Sequence, residues 1–494
     1  MTLGDVEMAK NIFYGFLIAA VLQLSSCATN PVSGRSDFVM VSQQQEIAMG
    51  KQAHPDIIKQ YGGVYRNKSL QDYVQNVGDE LVKNSHRSQL PFTFTVLDTD
   101  VINAFALPGG YVYISRGLMA YLGSEAELAA VLGHEIGHVT ARHSVRQISG
   151  SRVADIGFKI GAILLPELQS QTAQGLFNVL GRAISSGYGR DYELEADRLG
   201  ASYLKRSGYD PQAMMQVITV LKNQEQFDKQ RAEAEGREPN SYHGVFATHP
   251  KNDKRLKEVI ESVGDSSKDN VKVNQQQYLK QLDGMVFGKN SNDGIVRNNT
   301  FYHADLGIAV SFPENWDIKN LADRVIASEK NNQASIQLLT LELDEYVSAQ
   351  EFIEENKALK NLSDEKEINI EGIKGYSVVA TIKTEYGKRR ARIVVMQIVR
   401  QAYIFIGAAK KEDDPSGFDA IVIDTARSLH KLTTAENKLA DALHIALIKN
   451  NTKTFKSLSE HSVLTDYAEE TLRLLNGMYP EGEPLKGQWL KVIE

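Results

Sequence analysis

His134-Glu135-Ile136-Gly137-His138 puts two imidazoles and a carboxylate within five residues. On a helix, positions four apart lie about 40° apart around the axis, so His134 and His138 present their rings to one point and suit two ligands of a zinc ion. Glu135, at the edge of that face, can take a proton from a metal-activated water without binding the metal itself. A histidine ten residues after His134 would complete a three-histidine set, but that position is Ser144, and His143 is out of register. The third ligand must come from elsewhere. Glu193-Leu194-Glu195-Ala196-Asp197 offers two carboxylates, Glu193 and Asp197, again four apart. One of them can bind zinc while the other accepts the outer N–H of a ligand histidine, and Glu195 falls on a different face. One zinc per chain is expected, with its fourth position open for water.

The elements that must hold these groups follow from patterning. Ser124 with Glu127 forms a capping box and opens a helix expected to run to about Arg146. Leu128, Leu132, Ile136 and Val139 bind it to a core, and Ala129, Gly133 and Gly137 form a small-residue stripe that lets another element approach closely. A second helix is expected from about Asp191 to Arg206, stopping at Gly208 with Pro211 beyond. Phe92–Leu97 reads as a strand, and Asn103–Ser115, with Gly109-Gly110 at its middle, as a hairpin. Ile160–Leu165 is too short to cross a membrane and reads as core or as a lip beside a cleft. Residues 264–299 are polar and read as a linker, most clearly over Asp265–Asn270. From Phe301, alternating runs at 335–341, 376–382, 392–398 and 403–406, with helices near 348–360 and 415–428, indicate an antiparallel α+β domain. Lys388-Arg389-Arg390 is its one basic run and reads as a solvated hairpin turn.

The chain has 494 residues, enough for two to four domains, and 42% hydrophobic with 24% charged residues is an ordinary globular composition. Its net charge of −7 has the wrong sign for a nucleic-acid binder, and no nucleic-acid partner is expected. The single cysteine, Cys27, excludes a disulfide framework and a multi-cysteine metal site. It follows an apolar run from Ile12 to Leu24, the length of a secretory signal core and short of a spanning helix. Leu24-Ser25-Ser26-Cys27 resembles a bacterial lipobox, in which the cysteine becomes the lipidated first residue. Ala28 in place of Asp at the next position points to the outer membrane of a Gram-negative bacterium, with the chain facing the periplasm.

Together the zinc helix, Glu193-x-x-Ala196-Asp197, the segment Asn103-Ala104-Phe105-Ala106-Leu107-Pro108-Gly109-Gly110, and Thr248-His249-Pro250 with Arg255 resemble metallopeptidase family forty-eight over residues 40 to 262. That family holds the HtpX-like proteases and the CAAX prenyl endopeptidases, and with no spanning helix after its signal this chain is most similar to the periplasmic, BepA-like lipoprotein branch. The resemblance implies Glu193 as third zinc ligand and Asp197 as its neighbour behind the ligand histidines. It implies His249 near the metal, either in a catalytic role stabilising the oxyanion or occupying the open metal position in a resting state, Arg255 as an oxyanion or substrate group, and Asn103, Ala104, Phe105 and Ala106 as substrate-binding backbone. The last sixty residues resemble a degenerate lysin motif, a small βααβ module that binds peptidoglycan, with Asn450-Asn451-Thr452 where such modules open on Gly-Asp-Thr.

The expected fold class is therefore α+β: a mainly helical zincin-type domain with a short β-sheet, an antiparallel α+β domain and a small LysM-like module. The expected boundaries are 1–26 for the signal, 27–263 for the metallopeptidase domain, 264–299 for the linker, 300–432 for the accessory domain and 433–494 for the module. The expected function is zinc-dependent endoproteolysis of misfolded or stalled envelope proteins. Its partners would be protein or peptide substrates, the membrane through the lipid, outer-membrane assembly machinery and peptidoglycan. The alternative is a periplasmic chaperone or peptidoglycan-tethered assembly factor whose protease site is mostly restrained.

Overall fold

The computed structural model describes residues 27–34, 36–39, 41–150, 187–236, 239, 261, 271–321, 323–356, 359, 362–411, 415–464 and 466–494. Two units emerge, one built from the chain up to Phe287 together with His444–Glu494, the other from Gly288–Leu443. The fold class is α+β, as the patterning indicated.

In the first unit, strands β1 (Cys27–Thr29) and β2 (Ser36–Phe38) pair antiparallel ahead of helix α1 (Gln43–Gln60). Ser42 starts α1 with a reciprocal cap: its hydroxyl accepts from Gln45 N at 3.2 Å while its own N–H donates to the Gln45 side chain at 2.8 Å. Met49, Ala53 and Ile57, spaced 4 and 4, form the stripe that α1 buries. Helix α2 (Lys68–Lys83) buries Leu70, Val74, Val77 and Leu81 by the same rule. Next come β3 (Thr93–Leu97), β4 (Ala104–Leu107) and β5 (Tyr111–Ser115), in the order β3-β5-β4. The expected hairpin is the antiparallel β4–β5 pair, and β3 joins β5 in parallel. Its turn requires glycine: Gly109 and Gly110 both have positive φ, and a Cβ on Gly110 would lie 2.3 Å from Pro91 O.

Helices α3 (Arg116–Tyr121) and α4 (Glu125–Thr140) follow, and α4 carries both histidines of the metal motif. Ser124 caps α4 as expected, accepting from Glu127 N at 3.2 Å. Every residue of α4 except His134 is buried, so the helix that carries the metal motif runs through the interior of the unit. It ends earlier than the sequence suggested. The chain breaks at Arg142, whose φ is 59°, and resumes as α5 (His143–Gly150). Nothing in the local sequence demands a left-handed arginine there. Its guanidinium is held from afar, by Glu46 at 3.1 Å and by the Val41 carbonyl at 2.6 Å. Helix α6 (Arg190–Arg206) ends close to its expected place, before Gly208, and α7 (Ala213–Glu235) follows.

The expected linker is only partly one. Asp265–Asn270 lies outside the described residues, but α8 (Gln275–Leu282) buries Tyr278, Leu279 and Leu282 in the first unit, and the Tyr278 hydroxyl donates to Met119 O at 2.7 Å. The polar run Gln275-Gln276-Gln277 hid this short apolar face. Strand β6 (Val286–Phe287) closes this part of the unit.

The second unit is antiparallel, as expected. Strands β7 (Ile295–Arg297), β8 (Thr300–His303) and β9 (Ile308–Ser311) form a four-stranded sheet with β17 (His430–Lys431). Strands β10 (Asp317–Asn320), β11 (Val325–Ser328), β12 (Ala334–Glu342), β13 (Ser363–Ile370), β14 (Ile373–Thr384), β15 (Gly387–Ile398) and β16 (Gln401–Ala409) form a sheet ordered β10-β11-β12-β16-β15-β14-β13. Helix α9 (Ala349–Glu354) is shorter than expected, and α10 (Pro415–Arg427) matches expectation. The basic run is not simply solvated: Arg390 donates to Asp419 at 2.8 Å, and the buried Arg392 beside it reaches the same carboxylate at 2.6 Å. Helix α11 (Thr434–Ala440) also lies in this unit, so residues 433–443 are not part of a C-terminal module.

Strand β18 (Leu443–Lys449), helices α12 (Phe455–Ser459) and α13 (Ala468–Leu475), and strand β19 (Trp489–Ile493) return the chain to the first unit. The expected strand–helix–helix–strand order is present, but it is not a free-standing module. β18 lies between β19 and β6 in one sheet, and the buried Lys491 ammonium donates to Ala120 O and Leu122 O, at 2.6 and 2.7 Å, just ahead of α4. None of the described helices is long and apolar enough to cross a membrane.

Candidate metal centre

Two helices make the centre, and glycine sets their separation. α4 and α6 cross where Gly137 faces Ala196 and Gly133 faces Gly200; a Cβ on Gly137 would lie 2.8 Å from Ala196 O. The small-residue stripe on α4 therefore meets α6, and this close crossing brings Glu193 and Asp197, one turn apart on α6, up to the histidines of α4.

Three donor atoms converge there. His134 Nε2 and His138 Nε2 are 3.0 Å apart, and each lies 3.5 Å from an oxygen of Glu193. In four-coordinate zinc with bonds of about 2.0–2.2 Å, ligand atoms sit about 3.3–3.6 Å from each other; the contacts of His134 with Glu193 Oε2 and of His138 with Glu193 Oε1 have that length, and the two ring nitrogens stand slightly closer. His134 Nδ1 faces the Asp197 carboxylate at 2.9 Å and must donate to it. Its Nε2 is then an acceptor turned toward another carboxylate. An arrangement of electron-rich atoms like this calls for a cation. Burial alone would push the His134 imidazole down, but its bonds to Asp197 and Glu193 and their charges hold it well above the usual histidine range. The same field favours a divalent ion in place of the proton. His134, His138 and Glu193 thus fit zinc by type, number and spacing.

Around this triangle the chain adds a layer the motif did not reveal. His138 Nδ1 meets His143 Nδ1 at 2.8 Å, His143 Nε2 meets Glu195 at 3.1 Å, and Arg146 donates to the same Glu195 oxygen at 2.9 Å. The His143 hydrogen bond and Arg146 hold the Glu195 carboxyl down at about 2. Tyr188 stacks on His138 with centroids 4.1 Å apart, its hydroxyl 2.6 Å from Ser144 Oγ, and burial with the charges of Glu135 and Glu193 pushes the phenol up. Glu135 is buried on α4 between the two ligand histidines.

The segment expected to bind substrate forms β4, the terminal strand of its sheet. Ser115 N donates to Asn103 O at 3.0 Å, so Asn103, Phe105 and Leu107 face β5 with their backbone groups, and by antiparallel alternation Ala104 and Ala106 turn theirs to the outer edge. No described strand pairs with that edge. The side chains of β4 are all buried, because Phe105 and Leu107 pack with Met49, Ala53 and Ile57 of α1 while α4 also lies against the strand. The Asn103 side-chain oxygen is buried with no hydrogen-bond partner among the described residues. His249 and Arg255 lie outside the described residues, as does Ile160–Leu165.

A helix that offers two imidazoles from one turn to a carboxylate on its neighbour, with a buried glutamate between them, has the build of a zinc peptidase. Comparison with known proteins gives the family: the chain belongs to peptidase family M48, whose family model matches residues 68–263. It is 34% identical over 232 residues to a beta-barrel assembly-enhancing protease of Yersinia pestis, covering 46% of this chain and 45% of that one. Identity to the protein of the same name in Escherichia coli strain K12 is 32% over 242 residues, covering 47% and 46%. The mitochondrial metalloendopeptidase OMA1 of Schizosaccharomyces pombe is 30% identical over 255 residues, covering 50% of this chain and 70% of that one. The chain spans about half the length of the two bacterial relatives.

Proposed function

We propose that the chain is a zinc-dependent endopeptidase of the bacterial cell envelope that cleaves unfolded or stalled envelope proteins. The observation that carries this is the convergence of His134 and His138, on the helix that also bears Glu135, with Glu193 of the neighbouring helix α6. Zinc held by these three supplies Lewis acidity, which polarises a peptide carbonyl and eases deprotonation of water. The chain's own groups do the rest. Glu135, through its carboxylate, takes the proton of the attacking water and delivers a proton to the leaving amine nitrogen. Asp197 holds the His134 ring by its Nδ1–H. Along the free edge of β4, Ala104 and Ala106 bind an extended client by main-chain hydrogen bonds, which accept many sequences and suit a protease of misfolded proteins. The buried Asn103 oxygen offers one more acceptor for a client N–H.

The names of the bacterial relatives support outer-membrane assembly as the setting. The lipobox-like Leu24-Ser25-Ser26-Cys27, whose cysteine opens β1, supports attachment to the membrane through a lipid. The activity is tested by dialysing the purified chain against a chelator, then adding back zinc, with an unfolded protein such as casein as substrate. Cleavage should stop and return. Cleavage that is indifferent to both treatments would overturn the reading.

A further inference from the structure

The break in the zinc helix places a second histidine where a continuous helix could not. Five residues along an α-helix amount to about 500°, so on an unbroken α4 the His143 side chain would point about 140° away from His138. The left-handed turn at Arg142 brings it back, and the two Nδ1 atoms stand 2.8 Å apart in the buried interior. Only one hydrogen fits between two such nitrogens, so one ring must donate and the other accept.

Which way it runs is settled at the far end of the chain of contacts. Glu195 carries an ion-paired carboxylate, which accepts from Arg146 at 2.9 Å and faces His143 Nε2 at 3.1 Å. A carboxylate only accepts, so His143 Nε2 carries the hydrogen directed at it. Neutral His143 then has only its Nδ1 lone pair left to offer. His138 must donate from Nδ1, and its Nε2 is fixed as the lone-pair atom that faces His134 and Glu193. We propose that His143, oriented by Glu195 and Arg146, is a positioning residue that fixes the tautomer and ring orientation of His138 and thereby the zinc affinity of the site. It is to His138 what Asp197 is to His134, but a neutral imidazole fills the place of the carboxylate. Stacking of His143 on Tyr192, at 4.5 Å between centroids, and of Arg146 over the same ring, at 4.7 Å, holds the relay in plane. The inference rests on the reading of the triangle as a zinc site.

Two substitutions at one position separate orientation from packing. His143→Phe keeps an aromatic ring for the stack with Tyr192 and loses the acceptor; His143→Asn loses the ring but keeps an amide oxygen near the place of Nδ1. Zinc dissociation constants are measured on the purified full chain by competition with a coloured chelator. Partners behind a ligand histidine typically matter by about 10–100-fold in metal affinity, so His143→Phe should weaken zinc by that factor and His143→Asn should recover most of it. A merely structural histidine gives the opposite order. Glu195→Ala, at a partly exposed position, is the second variant: it frees the His143 tautomer and should weaken zinc in the same direction, even if His143→Phe fails to fold. Wild-type affinity in His143→Phe or in Glu195→Ala, or His143→Asn no better than His143→Phe, would overturn the inference alone. Wild-type protein that binds no stoichiometric zinc would overturn the metal reading and this inference with it.

Discussion

Gly137→Ala tests whether the spacing of two helices sets the metal triangle. The added Cβ would lie 2.8 Å from Ala196 O and 3.0 Å from Ala196 Cα, both backbone atoms that cannot rotate away. Ordinary contact begins at 3.4 Å, so α6 must retreat by about 3.4 − 2.8 = 0.6 Å along that direction. Overpacking of this kind costs about 1–3 kcal/mol, and replacing a helical glycine returns about 0.5–1, for a net loss of roughly 1–2 kcal/mol. Retreat also carries Glu193 away from the two Nε2 atoms, so zinc should bind more weakly. Gly133→Ala, one turn earlier on the same helix, is the control: its Cβ would sit 3.5 Å from Gly200 O, in ordinary contact. That variant should be neutral or more stable by about 0.5–1 kcal/mol and should keep its zinc. Thermal melts of the zinc-free chains and chelator competition read both effects. If Gly137→Ala matches wild type in both, or if Gly133→Ala is equally damaging, the crossing does not set the triangle.

Glu46 is buried between Arg87, at 2.9 and 3.1 Å, and Arg142, at 3.1 Å, so Glu46→Ala should strand two guanidiniums and cost about 3–5 kcal/mol in chemical denaturation. Lys491→Met should cost about 1–3 kcal/mol by leaving the Ala120 and Leu122 carbonyls unmet, and deleting 444–494 should prevent the first unit from folding; a soluble, cooperative unit without that segment would show that the return is dispensable. Zinc at 100 times its dissociation constant should raise the stability of the first unit by about 2.7 kcal/mol, whereas His138→Ala should show no zinc-dependent shift in melting. Cys27→Ser should leave the chain folded but free it from the membrane fraction or leave its signal uncleaved; unchanged retention after signal removal would exclude a lipid tether there.

Much of the site was legible because its logic is local. His134 and His138 share a helical face by spacing alone, and Glu193 and Asp197 repeat that geometry on a second helix. Ala129, Gly133 and Gly137 announced a close approach, and Gly109-Gly110 announced the hairpin. The relay through His143 and Glu195 was not legible, because it depends on a left-handed Arg142 held by Glu46 and Val41, about one hundred residues upstream. Read as part of a continuous helix, His143 points away. The segment after Asn270 looked like linker because three glutamines masked the face that α8 buries. The C-terminal return looked like a module because its strand–helix–helix–strand pattern is local, while its partners, β6 and the carbonyls before α4, are distant in sequence.

The most direct test of the central claim is peptide-bond cleavage by the purified, zinc-loaded chain beside its Glu135→Gln variant, with products mapped by mass spectrometry and zinc measured in the same samples. The amide keeps the shape of the side chain and cannot take the proton from water, and a general base typically contributes about 10²–10⁴-fold. The wild type should cut an unfolded protein at internal bonds, and the variant should hold one zinc per chain and cut at least a hundredfold more slowly. Equal cleavage by the two, or none by a fully zinc-loaded wild type, would contradict the account.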